Sequence, residues 1–218
     1  MKHLTLTLLL LLSLKGFSQP PCGSNPPAGN TCATATPICE LNGYCGNTSS
    51  AYTVNTWSQS CGFLGLFDCG LTGEFCGSIE NNSFLTFVAS STSISFDCWV
   101  YNSTYGDGIQ IMIFSANNCS GTVTSYYCSQ LAPSAGSQNV SASGLTPGNT
   151  YYIMIDGFAG DVCDYTFAAN TGVLIPVDVS PVNSSICVGE SVALTATGGN
   201  GSFTWVASPD LSGTNGAT

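Results

Sequence analysis

Three aspartates lie close together in the segment YYIMIDGFAGDVCDYTF, which covers residues 151–167. Asp156, Asp161 and Asp164 surround a glycine turn between two apolar runs. Calcium takes about six to eight oxygen ligands in proteins, and carboxylates on one loop can supply several of them. The spacing therefore predicts a calcium site at these residues, although it matches no EF-hand loop. The alternative is that Asp156 completes an Asx-type turn with Gly157 and that the other two acids are solvated.

A second group of side chains is suited to sugars. The segment DCWVYNSTYGDG, residues 97–108, contains Trp99, Tyr101, Tyr105 and Asp107 near a predicted loop. Aromatic rings stack on sugar rings, while Asn and Asp side chains bond to hydroxyl groups. These four residues are therefore the predicted ligand-binding site. The alternative is that Trp99 or Tyr101 fills the core and that the others lie on the surface.

Basic side chains are confined to the start of the chain. The sequence has two lysines, one histidine and no arginine. Lys2, His3 and Lys15 all fall in a predicted signal peptide, residues 1–18, so the mature chain carries 12 acidic residues and no basic one. This composition excludes nucleic-acid and nucleotide partners, histidine-based Ser or Cys catalysis, and zinc sites that use histidine. No C-x-x-C pair offers a cysteine-only zinc site.

Enzymatic activity is not expected from the remaining acids. A glycosidase needs two carboxyl groups that face each other across a sugar, about 5–10 Å apart. Glu74 and Glu80 lie close together, and Asp97 and Asp107 bracket an aromatic stretch, but no spacing singles out a pair. The chain is therefore predicted to be non-catalytic.

The first residues predict export. Lys2 and His3 precede an apolar run, residues 4–14, which is followed by the small-residue stretch at 16–18. This is the layout of a cleaved secretory signal peptide. The run is too short for a membrane-spanning helix, and no other stretch is long enough. The sequence thus predicts an extracellular or cell-surface location without membrane insertion.

Twelve cysteines in an exported chain predict a disulfide framework. Eleven lie between Cys22 and Cys163, so at least one bonds outside this segment or stays free, and Cys187 stands apart. The sequence favours one pairing, Cys119 with Cys128, because CSGTVTSYYC is typical of a short strand that returns on itself. The alternative is that each pairs with a distant partner.

Short β-favouring runs separated by Gly, Asn, Ser and Pro fill the middle of the chain. Aromatic and β-branched residues are concentrated in runs at 82–90, 92–101, 108–116, 122–129, 149–158 and 164–170. This spacing, without helical periodicity, predicts an all-β fold, a disulfide-rich β-sandwich of jelly-roll type over residues 31–172. An extended leader at residues 19–30 precedes it.

A second unit is predicted after a linker at residues 173–177. The segments PVDVSP and ESVALTATG, followed by SFTWVAS with Trp205 facing inward, are typical of the opening of an Ig-like β-sandwich over residues 178–218. Such a domain needs about 100 residues. The sequence therefore predicts a partial Ig-like domain in a protein that continues beyond Thr218, with Cys187 paired to a later cysteine.

Four segments, taken in order, resemble a known module. They are NTCATATPIC (30–39), EFCGSIENNSFLTFVAS (74–90), GDGIQIMIFSANNC (106–119) and GLTPGNTYYIMIDGFAGDVCDYTF (144–167). They are similar to an N-terminal module of large secreted Bacteroidota proteins, often exported by type IX secretion or associated with gliding motility. That module looks like a relative of pre-peptidase C-terminal and CUB-like sandwiches. ICVGESVALTATGGNGSFTW (186–205) resembles the Ig-like or PKD-like repeats that follow it. The resemblance implies a surface or secreted architecture rather than a defined activity.

These observations predict a non-catalytic module of an exported multidomain protein that serves adhesion, surface display or assembly. Glycans or other surface proteins are the expected partners. The alternative is an accessory carbohydrate-binding module of a secreted hydrolase whose catalytic domain lies beyond Thr218. Calcium is the one cofactor that the sequence suggests.

Overall fold

The structure is a computed structural model. It describes residues 27–133, 136–173, 177–181 and 191–198. The predicted signal peptide, most of the predicted leader, Cys22, Cys187 and Trp205 lie outside the described residues.

Strands make up most of the secondary structure. The described ranges contain β1 (Thr36–Pro37), β2 (Cys45–Asn47), β3 (Ser60–Cys61), β4 (Phe67–Asp68), β5 (Ser83–Val88), β6 (Ser93–Tyr101), β7 (Ile109–Asn117), β8 (Ser120–Leu131), β9 (Ser137–Ser143), β10 (Thr150–Gly157), β11 (Asp164–Thr171), β12 (Val177–Ser180) and β13 (Thr195–Gly198). In these ranges the only α-helix is α1, of four residues (Leu71–Glu74), alongside three short 3-10 turns. No helix of the described residues is long and apolar enough to cross a membrane. The predicted all-β class is confirmed.

Two sheets face each other as a jelly roll. The five-stranded sheet has the order β1-β5-β10-β7-β8, and the four-stranded sheet has the order β2-β11-β6-β9. Apart from the short β1, which is parallel to β5, neighbouring strands in both sheets are antiparallel. Without β1, each sheet has four strands, and their order is that of two interlocked Greek keys. This topology confirms the predicted jelly-roll sandwich.

The core between the sheets follows from alternation along the strands. In β6 every second residue from Ile94 to Val100 is buried, whereas the intervening residues are only half-buried. Phe96 of this strand packs on Phe167 of β11, with ring centroids 4.6 Å apart. A period of two is what a sheet needs when one face rests on the core and the other is free. The opposite face of β6 therefore carries the half-buried residues of this strand.

The outer face of the five-stranded sheet is buried as well. β7 and β10 turn Met112, Phe114 and Met154 to this side, and each is 0% exposed. Residues that precede β5 cover them, including Trp57 and Leu71 of α1, in a second hydrophobic cluster. Apolar residues on both faces explain why β7 reads as an almost continuous hydrophobic run.

Two disulfides fasten this cover to the sheet. Cys32 bonds to Cys119 at the start of β8, and Cys76 bonds to Cys128 within β8. The predicted Cys119–Cys128 bond is therefore wrong. The chain is extended along β8, so the two cysteines, nine residues apart in sequence, are about 30 Å apart. A disulfide requires Cα atoms about 4–7 Å apart.

A third disulfide, Cys61–Cys69, closes a loop between β3 and β4. This loop carries the exposed apolar side chains Phe63, Leu64, Leu66 and Phe67. Free thiols are found at Cys39, Cys98 and Cys163, of which only Cys39 is exposed to solvent.

The described part of the predicted Ig-like unit is a pair of antiparallel strands. β12 pairs with β13, from Val177 opposite Gly198 to Ser180 opposite Thr195. These strands coincide with the first two that the sequence predicts there. The third predicted strand lies outside the described residues.

Candidate functional site

The outer face of the four-stranded sheet carries two of the predicted ligand-binding residues. On β6, Asp97, Trp99 and Tyr101 alternate with the buried Cys98 and Val100, so their side chains point away from the core. All three are half-buried. Neither Trp99 nor Tyr101 belongs to the two hydrophobic clusters of the described residues. Both rings therefore lie at the protein surface.

Neighbouring strands add polar side chains to the same face. Thr166 of β11 lies opposite Trp99, and Asn139 of β9 lies opposite Asp97. The Tyr101 hydroxyl is 3.3 Å from Thr166 Oγ1, and Asn139 Nδ2 donates to Asp97 Oδ1 at 3.1 Å. We refer to the following six residues as the polar face: Asp97, Trp99, Tyr101, Asn139, Asp164 and Thr166, of which Thr166 is fully buried and supports Tyr101.

The exposed part of Trp99 on this face is aromatic carbon, without a hydrogen-bond donor. Its indole N–H is buried and has no hydrogen-bond partner among the described residues, although the residue as a whole is half-buried. The indole nitrogen therefore adds nothing to the solvent-exposed surface of Trp99. An aromatic carbon surface is what stacks on the apolar face of a sugar ring.

A loop of residues 102–108, the Asp161 loop, stands at the end of the polar face. Asp161 is 0% exposed, and its carboxylate accepts five hydrogen bonds from this loop. The donors are the N–H groups of Thr104, Tyr105, Asp107 and Gly108, at 2.8–3.0 Å, and the hydroxyl of Ser103. Burial by itself raises the pKa of Asp161, but the hydroxyl and backbone donors outweigh it and hold that pKa well below its usual range.

Both ends of the Asp161 loop are fixed. Gly108 has a φ of +89°, and a Cβ there would lie 2.1 Å from the carbonyl oxygen of Leu131, so only glycine fits. At the other end, Asn102 donates from Nδ2 to Asp164 Oδ2 at 2.7 Å. Asp164 is also the cross-strand partner of Tyr101. Its carboxylate thus ties the loop to the polar face.

The Asp161 loop presents Tyr105 to solvent. Tyr105 is 69% exposed, while its backbone N–H is bound to Asp161 at 2.9 Å. Asp107 is half-buried and held on both sides of its backbone: its N–H donates to Asp161, and its carbonyl oxygen accepts from Gln130 Nε2 at 2.8 Å. Because the backbone is already fixed, little conformational freedom is lost when a ligand contacts this loop.

The structure joins residues that the sequence assigned to two different sites. Asp161 and Asp164, predicted as metal ligands, hold the loop that carries Tyr105 and Asp107, predicted as ligand-binding residues. The bonds to Asp161 link positions 53 to 58 residues apart, so local spacing could not reveal them. Sequence reasoning also missed Asn139 and Thr166 of the polar face, and no motif marks either residue.

Asp156, the third predicted metal ligand, has a different environment. It is 0% exposed on the covered side of the five-stranded sheet, and its Oδ1 accepts the N–H groups of Glu80 and Asn81 at 3.1 and 2.9 Å. Burial raises the pKa of Asp156 to about 7; the two N–H groups oppose this shift, and the Glu80 carboxyl adds to it.

The three aspartates therefore have three separate sets of contacts. Among the described residues, no group of three or more His, Cys, Asp or Glu side chains is arranged to hold a metal. The calcium site formed by Asp156, Asp161 and Asp164 stays a prediction. Asp161 and Asp164 bind the Asp161 loop through hydrogen bonds.

Comparisons with protein-family models, with curated proteins and with solved structures find no match to this chain. The functional argument therefore depends on the geometry of the polar face and the Asp161 loop. Aromatic rings, amides, hydroxyls and carboxylates meet there on a rigid sheet. That combination suits an uncharged ligand rich in hydroxyl groups.

Proposed function

We propose that the jelly roll is a non-catalytic recognition module of an exported cell-surface or secreted protein, and that it binds glycans in adhesion or surface display. The polar face and the Asp161 loop are the proposed binding surface. This role agrees with the resemblance of the sequence to modules of secreted Bacteroidota proteins. The predicted signal peptide and the three disulfides between described residues support an oxidising, extracellular location.

The observation that carries the proposal is the grouping of Trp99, Tyr101 and Tyr105. Two of these aromatic residues lie on one strand face, and the third stands on a fixed loop at its end. Asn139 and Asp164 lie beside them with groups that bond to hydroxyls. Stacking on rings combined with polar contacts at their edges is how a protein binds sugars without a deep pocket.

The charge of the protein narrows the class of glycan. The chain has a formal charge of −10, and no basic side chain follows Lys15. Sulfated or sialylated glycans are repelled by such a surface and find no cation to pair with. Neutral glycans meet no such penalty. We therefore expect neutral oligosaccharides and polysaccharides to be the ligands.

A second candidate role uses the same surface. The row from Asp97 to Tyr101 lies along one extended strand and measures about 13 Å, which suits a linear polysaccharide chain. An accessory module that holds a secreted hydrolase on its polysaccharide would have this shape. Tight binding to insoluble polysaccharide favours this role, whereas selective binding to branched cell-surface glycans favours adhesion.

The first test is a glycan array probed with the full, oxidised chain in calcium and again in EDTA. We expect binding to neutral glycans in both buffers, because the proposed surface needs no metal. Replacing Tyr105 with Ala is expected to weaken binding about three- to tenfold, since one stacking ring is lost. Tyr101→Ala should act in the same direction.

Phe63→Ala is the matched control for Tyr105→Ala. Phe63 is an even more exposed aromatic residue, at 82% against 69% for Tyr105, in the Cys61–Cys69 loop beside the five-stranded sheet. Its removal should leave glycan binding unchanged. No binding to any neutral glycan, or binding that survives both tyrosine substitutions, would contradict the proposal. Binding that disappears in EDTA would return attention to the predicted three-aspartate calcium site.

A further inference from the structure

The segment from Cys76 to Asn81 lies over the outer face of the five-stranded sheet. The Cys76–Cys128 disulfide tethers it to β8. Further along, Gly77 rests directly on Gln110 of β7: a Cβ at position 77 would lie 1.9 Å from Gln110 Nε2. The segment therefore seals the side chains beneath it from water.

Asn81 attaches the 76–81 segment to β10 through hydrogen bonds. Its backbone N–H donates to Asp156 Oδ1, and its Oδ1 accepts the N–H of Gly157 at 2.8 Å. Its Nδ2 donates to the carbonyl oxygens of Thr48 and Asp161 at 3.0 and 3.3 Å. Asn81 thus has its hydrogen bonds satisfied, in contrast to its neighbours.

Three side-chain oxygens under this seal have no donor. They are Glu80 Oε2, Gln110 Oε1 and Asp156 Oδ2, each buried and without a hydrogen-bond partner among the described residues. Gln110 is 2% exposed and Asp156 is 0% exposed. The two residues lie directly opposite each other on β7 and β10, so their side chains leave the sheet on the same side. The Glu80 carboxyl is within hydrogen-bonding reach of Asp156.

No basic side chain among the described residues can neutralise this group. Asp156 is buried and Glu80 is half-buried with its Oε2 atom buried; neighbouring carboxylates repel each other, and a buried charge without a partner is strongly unfavourable. In most proteins a lysine or arginine would compensate, but no basic side chain follows Lys15. The two backbone N–H groups on Asp156 Oδ1 leave the other oxygens without a donor, so a metal ion or a proton is the natural source of the compensating charge.

We propose that Glu80, Gln110 and Asp156 supply the ligands of a structural divalent-cation site, selective for calcium, that fastens the 76–81 segment to the five-stranded sheet. All three free atoms are oxygens, two from carboxyls and one from an amide, which is the donor set of a hard cation. Magnesium demands a regular octahedron of ligands, whereas calcium accepts the irregular arrangement of a loop on a sheet. The site is separate from the polar face and does not depend on its function.

The chief rival is a proton shared between the two carboxyls. Burial, and to a smaller extent the Glu80 carboxyl, raise the pKa of Asp156 to about 7, which favours such a proton near neutral pH. A bound calcium and a shared proton are distinguished by metal titration at pH 8, where few protons compete.

The test uses the full, oxidised chain after removal of metals with EDTA. Calcium is titrated at pH 8 by calorimetry, and the midpoint of thermal unfolding is measured with calcium, with magnesium and with EDTA. We expect calcium to bind and to raise the midpoint, and magnesium to bind more weakly. Glu80→Gln keeps the shape of the side chain but removes one charged ligand, so calcium affinity should fall at least about tenfold.

Glu74→Gln is the control, because Glu74 is an exposed glutamate of α1 only six residues earlier. It should leave calcium affinity unchanged. Should Glu80→Gln fail to fold, the EDTA and calcium melts of the unmodified chain still decide the matter. Absence of calcium binding by the unmodified chain would overturn the proposal in favour of the shared proton. Calcium affinity that is equal in Glu80→Gln and the unmodified chain would also overturn it, since the metal would then sit elsewhere.

Discussion

Asp156 and Asp161 are five residues apart, and each is 0% exposed. Their surroundings nevertheless push their pKa values in opposite directions. Asp161 receives five donors, so both of its oxygens are satisfied and its pKa falls. Burial raises the pKa of Asp156, because the two donors on Oδ1 do not offset it; its Oδ2 has no donor among the described residues, and the Glu80 carboxyl adds to the rise.

The difference shows how a buried carboxylate stays charged in the described part of the chain, which contains no basic side chain. Backbone N–H groups of the Asp161 loop are dipoles fixed in place by the fold, and several of them together stabilise one negative charge. The 76–81 segment offers Asp156 only two such groups. The fold itself therefore stabilises the charge of Asp161, whereas Asp156 depends on an external positive charge in the proposed site.

The largest effect is expected from Asp161→Asn. An asparagine amide turns one acceptor oxygen into a donor, which leaves two N–H groups of the loop facing another N–H. We expect the free energy of unfolding to fall by about 3–5 kcal/mol, measured by urea denaturation. The same substitution at Asp164, which accepts one exposed bond from Asn102, should cost less than about 1 kcal/mol. Equal losses at both positions would break the argument that the loop depends on Asp161.

The next largest effect should follow removal of the tether on the Asp156 side. The double substitution Cys76→Ser, Cys128→Ser opens a disulfide that links positions 52 residues apart. We expect a loss of about 2–4 kcal/mol in the free energy of unfolding, because the unfolded chain gains freedom. Amide hydrogen exchange then separates the two regions: protection should drop at Glu80 and Asn81, which lie next to the tether, but persist at Thr104. Loss of protection at Thr104 as well would mean that the two regions unfold together.

A smaller effect is expected from acid. A carboxylate whose pKa is lower in the folded state than in the unfolded state contributes stability that is complete above the unfolded pKa, about 4, and is lost as pH falls toward the folded pKa. The free energy of unfolding should therefore fall by about 1 kcal/mol between pH 7 and pH 3 because of Asp161. Urea titrations of the unmodified chain and of Asp161→Asn at both pH values test this. The difference between the two chains should shrink at pH 3; a constant difference would contradict the proposed charge state.

Much of the fold could be predicted because it depends on short-range patterns. β6 alternates buried and half-buried residues, and β10 concentrates apolar ones. The predicted runs at 92–101 and 149–158 match these two strands closely. β9 was missed, since only Val140 and Ala142 are apolar in a strand of Ser, Gln and Asn. Strand propensity is weak in such a segment, and pairing with β6 decides its conformation.

The candidate sites could not be predicted to the same extent, because register and disulfides bring distant segments together. Asp156 stood out in the sequence, but its partner Gln110 is defined only by the pairing of β10 with β7. The sequence places Glu80 near Glu74 as a candidate carboxyl pair, and no local pattern indicates that it neighbours Asp156. The Cys119–Cys128 prediction failed for a similar reason, since both cysteines bond to the cover of the five-stranded sheet.

The smallest effect on stability, and the sharpest test of the comparison, is Asp156→Asn in EDTA. Asparagine retains the oxygen that accepts the N–H groups of Glu80 and Asn81, and its new NH2 group can donate to the Glu80 carboxyl. It also removes one buried negative charge that lacks a partner. In the absence of metal, we expect the free energy of unfolding to stay within about 1 kcal/mol of the unmodified chain or to rise.

In excess calcium, the unmodified chain should become clearly more stable than Asp156→Asn. The unmodified chain gains stability from the metal, whereas Asp156→Asn has lost a charged ligand and gains little. Urea denaturation of both chains in EDTA and in excess calcium provides the four values required. A large loss in EDTA, comparable to that of Asp161→Asn, would mean that the Asp156 carboxylate is already stabilised by the chain itself. The two aspartates would then be alike, and the 76–81 segment would need no external cation.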